Sequence, residues 1–348
     1  MGERGIKMNR RIYLTIDIEC HDIKKRNLYI DGKYKKDACG LEYILKLAKE
    51  NDIPVNCFLD IPEMNEYGKR YIEELIDLIH QYGQNIYLHL HPDYITKDKS
   101  RSFLWQYSYD EKKEILKSGF SLFHELLGHD VNCFRIGRYG ADFEMYKAID
   151  ELGYSVTDLS YCSNCPKMCH VNKKEIGVDN KNTTYYNQLI VPNTRYLGLK
   201  LRKRKVYINF DASDTTLNEF KRIIDNTKLD QLVFTMHSWN FIKKYFFLQK
   251  FCTLNRIQEK KFLKMISYAR ENNFRFCDLT ETPPEVNEEQ VDENIDLCDS
   301  ISNRIMMIIN NFIRFGGIAR LNKKYFIVYA AFFCLCLLII AIIIFALI

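Results

Sequence analysis

The sequence predicts an α/β chain built on a parallel sheet and followed by a C-terminal transmembrane helix. Three observations carry that expectation. Apolar runs of strand length alternate with segments of helical period through most of residues 10–280. Ionisable residues recur at the ends of those runs. The final 24 residues, 325–348, contain no charge.

The runs read as strands are 12–18, 55–59, 86–91, 131–135, 155–159, 206–210, 232–237 and 274–278, and the periodic segments between them read as helices at 41–50, 67–82, 109–127, 141–152, 216–226 and 258–272. Alternation of this kind favours parallel strands joined by crossover helices, in a barrel or a doubly wound sheet. Residues 161–188, rich in Asn, Lys and Cys, read as a long loop or insertion. No internal repeat is present.

A chain of 348 residues with 47% hydrophobic and 27% charged residues can bury a sizeable core. That excludes a disulfide-stapled miniprotein, a disordered chain and a collagen-like repeat. The twelve cysteines mostly stand alone in apolar surroundings, as Cys57, Cys133, Cys252 and Cys277 do, which fits a reducing compartment.

The net charge of +5 is unevenly spread, with eight acidic and no basic residues over 281–299, then five basic and no acidic residues over 304–324. The expected organisation is an N-terminal extension (1–10), a main domain (11–281), an acidic solvated linker (282–304), a basic juxtamembrane segment (305–324) and the transmembrane helix (325–348). As a helix the last segment would be about 36 Å long, enough to cross about 30 Å of hydrocarbon. Arg314, Arg320, Lys323 and Lys324 precede it. The positive-inside bias therefore places the main domain in the cytosol, held by a single-pass anchor, with membrane lipid as a partner. The N-terminus has no apolar stretch of the signal-peptide kind. Residues 305–318 are expected either to lie along the membrane interface or to pack as an amphipathic helix.

In a parallel α/β architecture the site is expected at the carboxyl ends of the strands. Those ends hold Asp17 and Glu19, then His89, His91 and Asp93, then Arg135, Asp158 and His237. Period-two geometry points Asp17 and Glu19 to one side of their strand and aligns His89, His91 and Asp93 in the same way. One carboxylate and two imidazoles suit a divalent metal with an open position for water. Zinc leads, with cobalt and manganese as alternatives. Asp17 is then the base if Glu19 is a ligand, His237 the acid, and Arg135 and Asp158 their orienting partners.

TIDIE, HLHPD, FRIGRYG, DLS and MHSWN, in that order, resemble the motifs of the polysaccharide deacetylase family, the NodB-homology type of carbohydrate esterase, in its His-x-His-Pro branch. IPVNCFLDI, LIVP and FRFCDLTE resemble further strands of that family, so the likeness covers about residues 10–281. It implies a distorted (β/α) barrel and metal-dependent removal of an acetyl group from an amino sugar in a glycan or lipid-linked precursor. It further implies Asp17 as base held by Arg135, Glu19 and His89 as ligands, and His237 as acid positioned by Asp158. The third ligand is His91 or Asp93, and a backbone N–H of Arg138 or Tyr139 would face the oxyanion. Two alternatives are an inactive membrane-tethered carbohydrate-binding or scaffolding protein and a metal amidohydrolase of non-sugar substrates.

Cys162, Cys165, Cys169 and His170 form a compact group open to three readings: zinc binding, free thiols or a disulfide. The run KLRKRK at 200–205 lacks interleaved aromatics and, with no glycine-rich phosphate loop, leaves nucleic acid and nucleotide hydrolysis unsupported.

Overall fold

The computed structural model describes residues 10–33, 38–163, 165–171, 173–201, 204–244 and 252–319. The transmembrane segment expected at 325–348 lies outside them. Among the described residues no helix is long and apolar enough to cross a membrane.

Strand β1 (Arg10–Ile18) runs through the middle of the molecule, and every residue from Ile12 to Cys20 is buried. Burial on both faces is what a central parallel strand requires, and it explains the nearly continuous apolar run. The strands after it are β2 (Asn56–Asp60), β3 (Ile86–Leu90), β4 (Cys133–Ile136), β5 (Thr157–Asp158), β6 (Thr183–Tyr185), β7 (Gln188–Ile190), β8 (Arg195–Leu201), β9 (Arg204–Asn209), β10 (Gln231–His237), β11 (Ile242–Lys244), β12 (Cys252–Leu254), β13 (Phe274–Phe276) and β14 (Ile295–Asp296). The main sheet has the order β10-β1-β2-β3-β4-β5-β7-β6, with β13 also on β1. All its pairs are parallel except the edge pair of β6 with β7.

Two strands share one edge of β1: β13 pairs with Arg10–Ile12 and β2 with Thr15–Ile18. Asn56 fills the notch where they diverge. Its side-chain amide donates to Leu14 O at 3.0 Å and Cys277 O at 3.1 Å, and its oxygen accepts from Leu279 N at 2.8 Å.

The helices are α1 (Leu41–Glu50), α2 (Met64–Tyr67), α3 (Lys69–Gln81), α4 (Pro92–Thr96), α5 (Tyr109–Leu127), α6 (Phe143–Glu151), α7 (Lys173–Ile176), α8 (Leu217–Asn226), α9 (Arg256–Glu271) and α10 (Ile301–Ala319). Capping boxes start α5 at Ser108 with Glu111 and α8 at Thr216 with Glu219, satisfying first-turn N–H groups. The expected helix 67–82 is interrupted at Gly68, whose φ of 94° no helix admits, so α2 and α3 are separate.

Helices cover the outer face of the sheet, while Tyr13, Phe58, Tyr87, Cys133, Leu159, Val191, Val233, Cys277 and Leu279 form a second apolar cluster on the inner face. Continuing the same alternation, Asp17, Asp60, His89, Arg135 and His237 share the parity of that inner face. The side chains of chemical interest therefore lie above an apolar floor.

Three expectations are corrected. Among the described residues the barrel is not closed by paired strands: between β7 and β10 the gap is spanned by the segment after β9, where Phe210 N donates to Thr194 O at 2.7 Å and Asp211 meets Thr235 in an isolated parallel bridge, Thr235 N donating to Phe210 O at 3.0 Å and Ala212 N to Thr235 O at 2.9 Å. The strand expected at 206–210 is not in the parallel sheet. It is β9, antiparallel to β8 in a separate sheet with β14, because a hairpin brings the two apolar runs directly together. The acidic stretch is not a free linker either. Asp292 accepts from the N–H groups of Asp179, Asn180 and Lys181, Glu293 accepts from Thr227 and Lys228, and β14 pairs with β8. Charge patterning could not reveal this, since an acidic side chain that caps backbone N–H groups reads like a solvated one.

Candidate metal centre

Glu19 follows the end of β1, while His89 lies in β3 and His91 just beyond it; all three are buried. Glu19 Oε2 lies 2.7 Å from His91 Nε2 and 3.7 Å from His89 Nε2, and the two imidazole Nε2 atoms are 3.1 Å apart. Among the described residues this is the one group of three or more His, Cys, Asp or Glu whose ligand atoms all lie within 4.8 Å of one another. Ligands in a tetrahedral zinc shell, with bonds of about 2.0–2.1 Å, stand roughly 3.3 Å apart, so the spacing fits a bound divalent ion. The donor set fits as well, being two imidazoles and one carboxylate.

Burial works against the Glu19 carboxylate, but His91 and His89 together hold it well below its usual range. His91 is pushed down by burial, partly offset by Glu19. An ionised Glu19 carboxylate beside a His91 imidazole pushed toward its neutral form is the protonation pattern that metal ligation needs.

A ligating histidine normally donates its second ring N–H to an acceptor. Among the described residues neither the buried His89 Nδ1 nor the buried Asp60 Oδ2 has a hydrogen-bond partner. Asp60 and His89 are register partners on β2 and β3, which sets a carboxylate beside the imidazole. For His91, Nδ1 faces the Arg138 guanidinium at 2.7 Å and Asp93 Oδ1 at 3.8 Å. Asp93 itself accepts from Arg138 at 3.1 Å and lies 3.8 Å from Lys99 Nζ. Of the two candidates for third ligand, His91 is therefore the one turned to Glu19 and His89, and Asp93 is taken up by cations.

Arg138 and Tyr139 both have φ of 55°, a left-handed turn that costs each about 1–3 kcal/mol. The turn starts at Gly137, which lies flat against His91. A Cβ there would come within 2.4 Å of His91 Cδ2 and Nε2, the nitrogen that faces Glu19. Gly137→Ala is accordingly expected to displace His91 and weaken zinc affinity by at least about tenfold, the scale on which ligand-orienting contacts act. Competition with a chromophoric chelator measures it, and an affinity equal to that of the unmodified chain would refute the reading.

Asp17 is bonded through Oδ1 to Arg135 Nη1. Arg135 also donates to Thr15 Oγ1 at 3.0 Å and Leu159 O at 3.2 Å, and its guanidinium lies 4.5 Å above the Phe58 ring. His237 is the register partner of Asp17 on β10, with Nε2 4.0 Å from Glu19 Oε1. The indole of Trp239 stacks on it at 4.5 Å.

The structure does not join Asp158 to His237. Asp158 is fully buried and accepts from Tyr146 Oη at 2.8 Å, Ser160 N at 2.9 Å and the Ser160 hydroxyl. Burial pushes its carboxyl up to about 6, against those bonds. The reason is parity: Leu159 belongs to the inner cluster, so its neighbour Asp158 turns outward to α6.

Cys162 and Cys169 are buried, Cys165 is partly so, and none of the ten described cysteines is in a disulfide. The three do not gather into a metal-binding group, and His170 stacks on Trp105 at 4.0 Å instead.

Three residues near the centre escape the strand-end reading. His21 Nε2 lies 3.5 Å from Glu19 Oε1, and it continues the alternation of Asp17 and Glu19 beyond the strand. Asp60 and Glu63 lie at the end of β2 and in the turn after it, and both are fully buried. Asp60 accepts from His91 N at 3.4 Å, whereas Glu63 accepts from Cys20 N at 2.5 Å and Tyr71 Oη at 3.0 Å. Parity with Phe58 was the available signal for Asp60.

Burial pushes Glu63 up to about 8, against the bonds from Cys20 and Tyr71 and with help from Glu19 and Glu66. The unfolded chain releases this proton at its ordinary value, about 4.3, so between there and about 8 the folded state binds more protons. Stability contributed by Glu63 is thus present at low pH and lost as pH rises through that window. The melting temperature of the chelator-treated chain should fall from about pH 5 to about pH 8, and Glu63→Gln should flatten the decline. An equal decline in both proteins would contradict the assignment.

No protein-family model and no curated protein matches the sequence. Similar solved structures include a polysaccharide deacetylase from Bacillus cereus, at 13% identity and TM-score 0.39 over 81% of this chain and 98% of that one. A family 4 carbohydrate esterase from Streptomyces lividans, in complex with acetate, is 10% identical with TM-score 0.41 over 79% and 94%. A CE4 family pseudoenzyme from Bacillus anthracis is 12% identical with TM-score 0.43 over 81% and 68%. These neighbours are CE4 proteins. The chemistry of this chain is read from its own centre.

Proposed function

We propose that this chain is a metal-dependent hydrolase that removes an acetyl group from an amino sugar in a glycan or lipid-linked precursor. The observation that carries the reading is the meeting of Glu19, His89 and His91 beside a buried Asp17–Arg135 pair and a half-buried His237. When bound, a divalent ion, zinc first among the candidates, would polarise the acetyl carbonyl and supply an acidified water.

The chain's own residues do the rest. Arg135 fixes one oxygen of Asp17, which then acts as the base that takes a proton from the attacking water. His237, across the β1–β10 ladder, delivers a proton to the departing amine. Trp239 braces His237, and Tyr29 meets the indole edge-on at 5.3 Å, forming an aromatic wall that suits the apolar face of a sugar ring. The same motifs that resemble the polysaccharide deacetylases supply Asp17, Arg135, His237 and Trp239.

Acetate release from a panel of acetylated glycans and of nucleotide- and lipid-linked amino sugars, with and without chelator, tests the reading. Chelator-sensitive, metal-restored release from at least one sugar is expected. A metal-loaded chain inert on the whole panel that still binds glycan would favour the scaffolding alternative.

Residues 325–348 support a single-pass anchor with the domain on the cytosolic side. Protease added outside intact cells should then leave the chain uncut before the anchor; cleavage there would reverse the orientation.

A further inference from the structure

Helix α10 turns its polar and apolar residues the wrong way for a helix on a water-soluble domain. Facing the protein are Asn310, which donates to Glu219 Oε1 at 3.0 Å, and Asn311, which donates to Gly198 O at 2.8 Å; Met307 is buried between them and the domain. Facing away are Ile301 (77% exposed), Ile305 (55%), Ile308 (45%) and Ile309 (53%). Positions 301, 305, 308 and 309 fall on one helical stripe, separated by four, three and one residues. Single exposed apolar residues are ordinary, but a contiguous stripe of isoleucine signals a surface made to be covered.

What covers it is indicated by its surroundings. Strand β8, on which α10 packs, pairs with β9 in a hairpin that sets Lys200 on one arm and Lys205 on the other. Lys200 and Lys205 are cross-strand partners there, and Lys205 and Val206 are exposed. The chain downstream brings Arg320, Lys323 and Lys324 and then 24 uncharged residues. An apolar stripe on a helix packed against the strand that carries Lys200, followed in the sequence by three cations and a stretch long enough to span a bilayer, matches the chemistry of an anionic lipid surface. A second copy of the chain would bring the same cations against each other.

We propose that the isoleucine stripe of α10 and the basic β8–β9 hairpin form a surface that lies on an anionic phospholipid bilayer, fixing how the domain sits on the membrane. This rests on the anchoring reading of residues 325–348 and is independent of the metal chemistry.

The test uses the full chain reconstituted into phosphatidylcholine–phosphatidylglycerol vesicles, with tryptophan introduced as Ile308→Trp or, as a control on α9, as Ile257→Trp, where the native side chain is 83% exposed. Brominated phosphatidylcholine should quench the added Ile308→Trp fluorescence several-fold more than that of Ile257→Trp, and Lys200→Gln with Lys205→Gln should reduce the difference. Equal, water-like signals from both positions in vesicle-bound protein would overturn the proposal. So would cross-linking of Ile308→Cys to a second copy in place of lipid quenching. Chain that fails to float with vesicles would instead overturn the anchor itself. Matching thermal melts show that each variant folds.

Discussion

Asp17→Asn in the metal-loaded chain is expected to lower the rate of acetate release by about 10²–10⁴-fold, the range that a general base supplies. The substitution keeps the shape of the side chain and an oxygen for Arg135, so the fold and the Glu19, His89 and His91 group should persist. What is lost is the carboxylate that accepts a proton. Asp17 suits that role because Arg135 holds its Oδ1 and because β1 sets it directly across from His237. Initial rates on the best sugar of the panel, at matched metal content, decide the matter. A rate within a few-fold of the unmodified enzyme would remove Asp17 from the reaction.

Arg135→Met is expected to cost about 3–5 kcal/mol of folding stability, as removal of one partner of a buried pair does. Arg135 is 1% exposed and Asp17 7% exposed, so neither charge has water to fall back on. The change leaves Asp17 as an uncompensated buried acid and also strips donors from Thr15 Oγ1 and Leu159 O. Methionine keeps much of the volume and the contact with Phe58, which isolates the electrostatic loss. Arg135→Met combined with Asp17→Leu should recover a large part of the stability, since both charges then leave together. Denaturant midpoints of the four proteins measure it. A single-variant loss below about 1 kcal/mol would show that the pair is not the internal brace described here.

Much of the parallel sheet was readable because its strands are short, apolar and terminated by ionisable residues. β1, β2, β3 and β10 lie close to the runs that periodicity marks, and α1 and α5 match theirs at both ends. Pairing is a different matter. Nothing in the apolar run at 206–210 distinguishes a strand of the parallel sheet from one arm of a hairpin, and β9 is the latter. The acidic stretch reads as solvated for a related reason: Asp292 serves three backbone N–H groups that are more than a hundred residues away in the chain.

At the centre, alternation along β1 and β3 was enough to bring Asp17, Glu19, His89 and His91 to one side. It could not choose between His91 and Asp93, because that depends on Arg138, which arrives from the turn after β4 and pairs with Asp93. It misplaced Asp158, whose outward direction is evident only once Leu159 is seen in the inner cluster. Asp60 and His21 obey the same period-two rule as the residues that were found.

A zinc titration of the chelator-stripped full chain, followed by competition with a chromophoric chelator, tests the centre most directly. One ion per chain should bind tightly, and Glu19→Ala or His89→Ala should abolish that tight binding while the rest of the chain stays folded. A stripped chain that takes up no zinc, or variants that bind it as well as the unmodified protein, would contradict the centre.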